Sequence, residues 1–491
     1  MINMNFNFNE IKSLFFGNRT VKQTIFKNTF WLAIGTGISK LLGFVLFIYI
    51  ARILGATEYG KFSFALAFVS LFSVFQDFGI STIVTREFAK EGEKEEEFHS
   101  LISLEILLSV LAFVLILLSS FFVTAELDIR RAILILALYS SFNSMIVFFY
   151  SFFQARQRME YEVWPVIVQA VLITALGFFA LFRFPSVENL SYVYLIASLI
   201  ALIFTLILFN IKIFNLKISW QSSVWRKFLI MSWPLALTSL FGFFYTFIDS
   251  VMLGYWKMIT ETGWYNAAYR IIYIVLIPMG LISGSFYPVL SKFFKESKEK
   301  LQKIWDYQLE LMILFALPLT VGGIALAPKI IYFFYPFSFS PSIMALQILI
   351  VMAGLVFLCR PFTDVMIASH QQKITFWITL FGALTNVLLN LFLIPKYKLY
   401  GAAVATVITY IVFLLMSIGL TEKFTPIKIP YLKFLSIFIL SGISSALMYF
   451  IITQQVIYNL NIFLSIIIGA MVYIISLLFL KRITKSIYEK I

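Results

Sequence analysis

The chain has 491 residues, of which 61% are apolar, 18% aromatic and only 13% charged. So few charged residues cannot cover the surface of a soluble protein of this length. The apolar residues instead form blocks of about 18 or more, the length that crosses a bilayer as a helix. The composition therefore excludes a soluble enzyme and indicates a polytopic membrane protein.

Cysteine and histidine are too scarce to build a disulfide or a metal centre. Cys359 is the single cysteine, and the only histidines, His99 and His370, are far apart in sequence. We expect no metal and no cofactor. The first apolar block begins near Asn28 and has no small-residue cleavage site, so it is interpreted as a retained span and not as a signal peptide.

The apolar blocks predict an all-α membrane protein of about 14 spans joined by short connections. In chain order the predicted spans lie near 28–50, 60–82, 101–123, 132–153, 163–183, 190–211, 228–254, 264–290, 308–334, 343–368, 374–394, 400–420, 431–452 and 460–480. None of the connections is large enough for a separate soluble domain.

Lysine and arginine are distributed unevenly between alternate connections. If the N-terminus is cytoplasmic, the cytoplasmic segments carry roughly three times as many of them as the outer segments, which is the bias of the positive-inside rule. The outer segments hold few, among them Lys257, Lys329, Lys396 and Lys398. The net charge of +14 thus orients the chain in the cytoplasmic membrane with both termini inside, and gives no indication of nucleic acid.

The first span contains GTGISK, residues 35–40, which superficially resembles a phosphate-binding loop. A phosphate loop follows a strand and continues GK[ST], whereas this segment lies inside an apolar block. Gly35, Ser39 and Gly43 share a four-residue spacing, which predicts close packing against a neighbouring helix. Lys40 lies near mid-bilayer, where a charge costs at least a few kcal/mol unless it faces protein or water.

Several spans, the first included, carry polar residues at helical spacing, which predicts polar faces turned toward a common interior. These faces are Thr29, Thr36, Lys40 and Gly43; Ser63, Ser70 and Asp77; Ser239, Gly242, Thr246 and Asp249; Asn266, Arg270 and Tyr273; Arg360 and Asp364; and Thr375, Thr379, Gly382, Asn386 and Asn390.

Each ionisable residue among these also has a structural interpretation. Arg360 and Asp364 could form a local i,i+4 ion pair. Asp249 and Arg270 could neutralise one another, and Asp77 could cap a helix or reach the inner surface. These alternatives to a functional role remain open from the sequence.

Three stretches resemble one known family, the polysaccharide-biosynthesis flippases of the multidrug/oligosaccharidyl-lipid/polysaccharide exporter superfamily. They are residues 28–90, from NTFWLAIGTGISK to STIVTREFAK; 393–410, LIPKYKLYGAAVATVITY; and 263–293, from GWYNAAYRIIYIV to PVLSKF. Within the chain, FYSFFQARQRMEYEVW parallels TDVMIASHQQKITFW, and ATEYGKFSFA parallels TETGWYNAAY. We therefore expect two pseudo-symmetric six-helix lobes, 1–215 and 216–425, followed by two appended spans in 426–491.

The resemblance implies a substrate cavity between the lobes with cationic side chains on the first and eighth spans. Lys40 and Arg270 occupy comparable places and are expected to bind the substrate phosphate, with Arg360 as a further contact. Asn386 and Asn390 are expected to bind sugar hydroxyls. Asp77, Asp249 and Asp364 are the candidates for a coupling ion, H⁺ or Na⁺.

The resemblance therefore implies a flippase, not an enzyme, which translocates a polyprenyl-phosphate- or diphosphate-linked oligosaccharide by alternating access. A multidrug or cation antiporter of the same superfamily is one alternative, although its cavity should be acidic. A membrane glycosyltransferase or polymerase is another, although such enzymes usually carry a long outer loop with paired acids, and the outer loops here are short.

Overall fold

The computed structural model describes residues 17–18, 20–91, 95–213 and 215–488. Within these ranges the chain forms fifteen α-helices, one short 3-10 helix at Phe337–Phe339, and no strand. The α-helices are α1 Val21–Asp77, α2 Ile80–Glu91, α3 Glu95–Val123, α4 Leu127–Ala155, α5 Met159–Arg183, α6 Val187–Lys212, α7 Ser222–Tyr255, α8 Ile259–Val275, α9 Ile277–Glu296, α10 Lys298–Phe334, α11 Pro341–Ala368, α12 Gln372–Phe424, α13 Tyr431–Ile452, α14 Gln455–Tyr458 and α15 Ile462–Tyr488. The all-α class predicted from the apolar blocks is confirmed.

Twelve helical stretches in the described part of the chain are long and apolar enough to cross a membrane. Helix α1 has 57 residues and breaks at Gly55, and α12 has 53 residues and breaks at Lys398. A span needs about 20 residues, so each of these helices has the length of two. The predicted connections after the first and eleventh spans fall at these two breaks. The total of fourteen spans stays a prediction.

The eighth span, expected as one continuous helix over 264–290, is interrupted. Helix α8 ends at Val275 and α9 begins at Ile277 with Pro278 in its first turn. Proline has no N–H to donate and is tolerated in a first turn, so it begins a new helix there. The short helix α2, which begins within the last residues of the second predicted span, was also not anticipated.

The parallel segments FYSFFQARQRMEYEVW and TDVMIASHQQKITFW form the same backbone corner. Gln157, between α4 and α5, has φ 57°, and His370, between α11 and α12, has φ 59°. The residue after each donates its N–H five positions back, from Arg158 to the Phe153 carbonyl at 2.9 Å and from Gln371 to the Met366 carbonyl at 2.8 Å. These bonds satisfy the carbonyls left at a helix end, and they give the parallel sequences a common local geometry.

The chain divides into two compact units, the first ending at Val251 and the second beginning at Met252. In the first unit, aromatic rings hold α3, α4 and α6 together. Phe98 stacks on Phe148 and on Phe209, with ring centroids 5.1 Å apart in both pairs. Because lipid is as apolar as these side chains, close packing rather than exclusion from water selects this arrangement.

The second unit has its own aromatic core. The fully buried Trp305 of α10 meets Phe362 of α11 edge-on at 5.4 Å and Phe434 of α13 at 5.9 Å. Its indole N–H donates to the Pro361 carbonyl at 3.1 Å. Helix α13, predicted as an appended span, therefore packs on α10. The division at residues 215 and 425 stays a prediction.

Candidate functional site

Lys40 of α1 is exposed and has no hydrogen bond or ion pair to the described residues. The side of α1 that packs against α5 is not the side that carries Lys40. A Cβ at Gly35 would lie 2.9 Å from Val163 of α5, and Gly35 is roughly 140° around the helix from Lys40 at 3.6 residues per turn. The close packing predicted for Gly35 is thus confirmed. It is wrong for Gly43, which has nothing within 4 Å of a Cβ position.

Lys27, thirteen residues before Lys40 on the same helix, has the opposite environment. It is fully buried, and its ammonium lies 2.9 Å from Glu160 Oε2 at the start of α5. It also donates to Asn18 Oδ1 at 2.7 Å and to the Gln157 carbonyl at 3.1 Å. Lys27 directly precedes the first predicted span, 28–50, and these contacts make it the anchor of α1 on the α4–α5 corner.

Asp77 caps helix α2. One carboxylate oxygen accepts the Gly79 N–H and the other accepts the Ser81 N–H, both at 3.0 Å, and the Ser81 hydroxyl donates to it as well. Carboxylates at this position satisfy N–H groups that have no partner within the helix. The structural interpretation of Asp77 is confirmed, and its role as a coupling-ion ligand stays a prediction.

Two further polar side chains are buried beside Asp77 in the first unit, and the sequence did not mark either. Gln76 is fully buried and exchanges hydrogen bonds with Ser140 at 2.7 Å and Ser141 at 3.3 Å. Glu105 is fully buried and accepts from Ser144 at 2.7 Å, while its Oε2 has no partner among the described residues. Both connect to α4, so the inside of this unit is polar where α1, α3 and α4 approach one another.

Arg360 and Asp364 form the ion pair that their spacing allowed, at 2.9 Å from Nε to Oδ1. Two residues from other helices complete the cluster. Ser283 of α9 donates to Asp364 Oδ2 at 2.6 Å and accepts from Arg360 Nε at 2.7 Å. Gln308 of α10 donates to the same Oδ2 at 2.7 Å. The carboxylate is therefore bound from three helices.

Asn386 and Asn390 lie on α12 and are both fully buried. The Asn390 amide donates to Asn386 Oδ1 at 3.0 Å. The Asn386 amide nitrogen has no partner among the described residues, and a buried donor in that state costs about 1–3 kcal/mol. It is a group that an incoming hydroxyl could satisfy.

Asp249 and Arg270 lie in different units. Asp249 of α7 is 2% exposed, and Arg270 of α8 is half-buried with its guanidinium 5.8 Å from the centroid of the Tyr273 ring. Helical spacing had placed Tyr273 beside Arg270, and this contact is a cation–π interaction. Whether Asp249 neutralises Arg270 stays a prediction.

Twelve helices of membrane-spanning length in the described part of the chain, with carboxylates buried among them, define the class as an all-α polytopic membrane protein. The model of the family described as "Polysaccharide biosynthesis protein" matches residues 25–294. This is more than half of the chain, and the chain belongs to that family.

Two solved structures and one curated relative are similar to the chain. A structure of the lipid II flippase MurJ in an inward closed conformation is 19% identical, covers 92% of this chain and 98% of that one, and has a TM-score of 0.74. An inward-facing multidrug resistance transporter of the MATE family and MOP superfamily is 14% identical, covers 81% and 98%, and has a TM-score of 0.65. These two similarities show the fold.

The relative is the probable low-salt glycan biosynthesis flippase Agl15 of Haloferax volcanii, which is 22% identical over 199 residues. The match covers 40% of this chain and 42% of that protein. The chain thus spans less than half the length of this curated relative.

Proposed function

We propose that the protein is a flippase for a polyprenyl-phosphate- or diphosphate-linked oligosaccharide used in cell-surface glycan synthesis. Family membership supports a polysaccharide role, and the observation that carries the proposal is Lys40. A lysine in the middle of an apolar helix costs about 2.5–3.5 kcal/mol on insertion scales. The Lys40 ammonium has no hydrogen bond or ion pair to the described residues. An anion from outside the protein is therefore the group that would stabilise its charge.

The substrate makes such a cation necessary. Its tail is soluble in lipid, but phosphate and sugar hydroxyls cannot cross hydrocarbon without replacement hydrogen bonds. Lys40 in the first unit and Arg270 and Arg360 in the second would each meet the phosphate or an acidic sugar. Asn386, with its free amide donor, and Asn390 would meet sugar hydroxyls.

We further propose fourteen spans with both termini cytoplasmic, with α1 and α12 each counted as two spans across their breaks. The coupling ion, H⁺ or Na⁺, would use one of the buried carboxylates. The candidates for this role are Asp77, Asp249 and Asp364.

The test is translocation in proteoliposomes of a fluorescent polyprenyl-diphosphate oligosaccharide, measured by its accessibility to an impermeant lectin. Lys40→Ala and Arg270→Ala should each slow translocation at least tenfold without loss of thermal stability. Lys423→Ala, which removes an exposed charge at the end of α12, should translocate normally. Wild-type rates in Lys40→Ala and Arg270→Ala would overturn the cationic-site proposal, and drug efflux without glycan translocation would favour the antiporter.

A further inference from the structure

An open cleft of about 390 Å³ lies in the second unit. It forms where the beginnings of α8 and α11 meet the break in α12. The side chains that matter in its lining are Glu261, Trp264, Lys396, Tyr397, Lys398 and Tyr400. Its volume falls at the lower end of the range for small-molecule sites, about 300–1,000 Å³.

The break in α12 that forms one wall is conformationally strained. Lys398 has φ 53° and ψ −131°, a combination that side chains disfavour and glycine tolerates. Its ammonium is fixed by an ion pair with Glu261 Oε1 at 2.8 Å. A lysine thus occupies a position that suits glycine. The backbone is strained at the residue whose side chain lines the cleft.

The aromatic lining is held in place by backbone hydrogen bonds. The Trp264 indole N–H donates to the Ser338 carbonyl at 2.8 Å, and the Tyr400 hydroxyl donates to the Pro341 carbonyl at 3.4 Å. Tyr397 is 59% exposed. Rings of this kind offer flat apolar faces against which the C–H face of a sugar packs, with the sugar hydroxyls left free for polar contacts.

The charge of the cleft selects among saccharides. Lys398 is shared with Glu261, whereas Lys396 is exposed and has no hydrogen bond or ion pair to the described residues. Two lysines against one glutamate leave a net positive cleft, and a cation–carboxylate or cation–phosphate hydrogen bond is stronger than a neutral one. The preferred ligand is therefore a sugar that carries an acid.

We propose that this cleft binds an anionic saccharide, the acidic glycan part of the transported lipid. The inference rests on the proposed function for the source of the saccharide. The predicted topology places Lys396 and Lys398 on the outer face, where the glycan would arrive after translocation. The cleft would then hold the glycan at the exit side.

The test uses the purified full-length protein in nanodiscs of phosphatidylcholine, titrated calorimetrically with tetragalacturonate and with the neutral maltotetraose. Tetragalacturonate should bind saturably and at least tenfold more tightly than maltotetraose. The double variant Lys396→Ala/Lys398→Gly and the single variant Tyr397→Ala should each weaken it at least tenfold. Because glycine relieves the strain at residue 398, the double variant should unfold at no lower temperature than wild type.

The matched control is Lys257→Gly, which removes an exposed lysine from another left-handed position, φ 60°, in the same unit. It should bind tetragalacturonate like wild type. Equal binding of both saccharides, or unchanged binding in the cleft variants, would overturn the proposal. Two results together would assign the cleft to a lipid headgroup instead. They are equal binding of the two saccharides in phosphatidylcholine nanodiscs and loss of tetragalacturonate binding in nanodiscs that contain phosphatidylglycerol.

The two proposals fail separately. A wild-type protein that translocates lipid-linked oligosaccharide but binds no free saccharide would refute the cleft alone. A protein that binds tetragalacturonate but translocates nothing would refute the flippase and leave a saccharide-binding cleft.

Discussion

Arg360 and Asp364 are bonded at 2.9 Å, yet they are unequally placed, because the arginine side chain is 41% exposed and the aspartate 1%. The exposed partner can be solvated on its own, and the buried one cannot. Breaking a buried ion pair is most damaging when the charge left behind is the buried one. Removing Arg360 therefore leaves a buried charge without its partner, whereas removing Asp364 leaves an exposed one.

We expect Arg360→Ala to destabilise the protein by about 2–4 kcal/mol, since it leaves the Asp364 carboxylate buried without its cation. Asp364→Asn should be milder, about 1–2 kcal/mol, because an amide still accepts from Ser283 and Gln308. Thermal unfolding of both variants in detergent shows which of them is less stable. Equal losses, or a larger loss for Asp364→Asn, would contradict the asymmetry.

The two lysines of α1 should respond in opposite ways. Lys27→Met removes the buried cation of Glu160 and leaves only Arg158, at 3.3 Å, as its charged partner among the described residues. It should cost about 3 kcal/mol, with Glu160→Gln in the same chain recovering part of the loss. Lys40→Met removes an unpaired mid-span charge and should leave stability unchanged or higher. Unfolding temperatures of the three variants measure this, and a stable Lys27→Met would show that the pair is not the anchor of α1.

Glu105 is expected to tolerate an amide. Its site supplies one hydroxyl donor, from Ser144, and no cation among the described residues, so Glu105→Gln keeps the contact. Glu105→Ala should lose about 2–5 kcal/mol through the cavity and the lost bond. The yield of folded protein and its unfolding temperature distinguish the two. A Gln variant as unstable as the Ala variant would show that the site requires a carboxylate.

Gly401 and Gly419 lie on α12 in different environments. A Cβ at Gly401 would run into the Leu393 carbonyl oxygen across the break, whereas one at Gly419 meets nothing within 4 Å. Gly401→Ala should therefore cost about 1–3 kcal/mol or more, as for overpacking, because backbone must move. Gly419→Ala should be neutral or slightly stabilising. Similar unfolding temperatures for the two variants would contradict the close crossing at Gly401.

The helices themselves were predictable because a membrane span is encoded in a contiguous apolar block. The third predicted span, 101–123, corresponds to α3, Glu95–Val123, which begins six residues earlier. The difference arises because charged residues continue the helix beyond the apolar core. The same logic found the ion pair of Arg360 and Asp364, since both belong to one helix and an i,i+4 spacing is visible in sequence.

Contacts between helices were not predictable in this way. Gln308 lies 56 residues from Asp364, and Ser283 lies 81 residues from it. No periodicity indicates which faces of α9, α10 and α11 will meet. A glutamine inside an apolar block is a signal that could have marked Gln308, and likewise Gln76. A single serine such as Ser283 carries no such signal, because serines are common in membrane helices.

The two matching corners at Gln157 and His370 differ in charge three residues later. Glu160 follows the first corner, and the exposed Lys373 follows the second. The first corner therefore attracts a cation and holds Lys27, whereas the second would repel one. A single difference in charge thus gives two corners with the same backbone geometry opposite preferences for a cation.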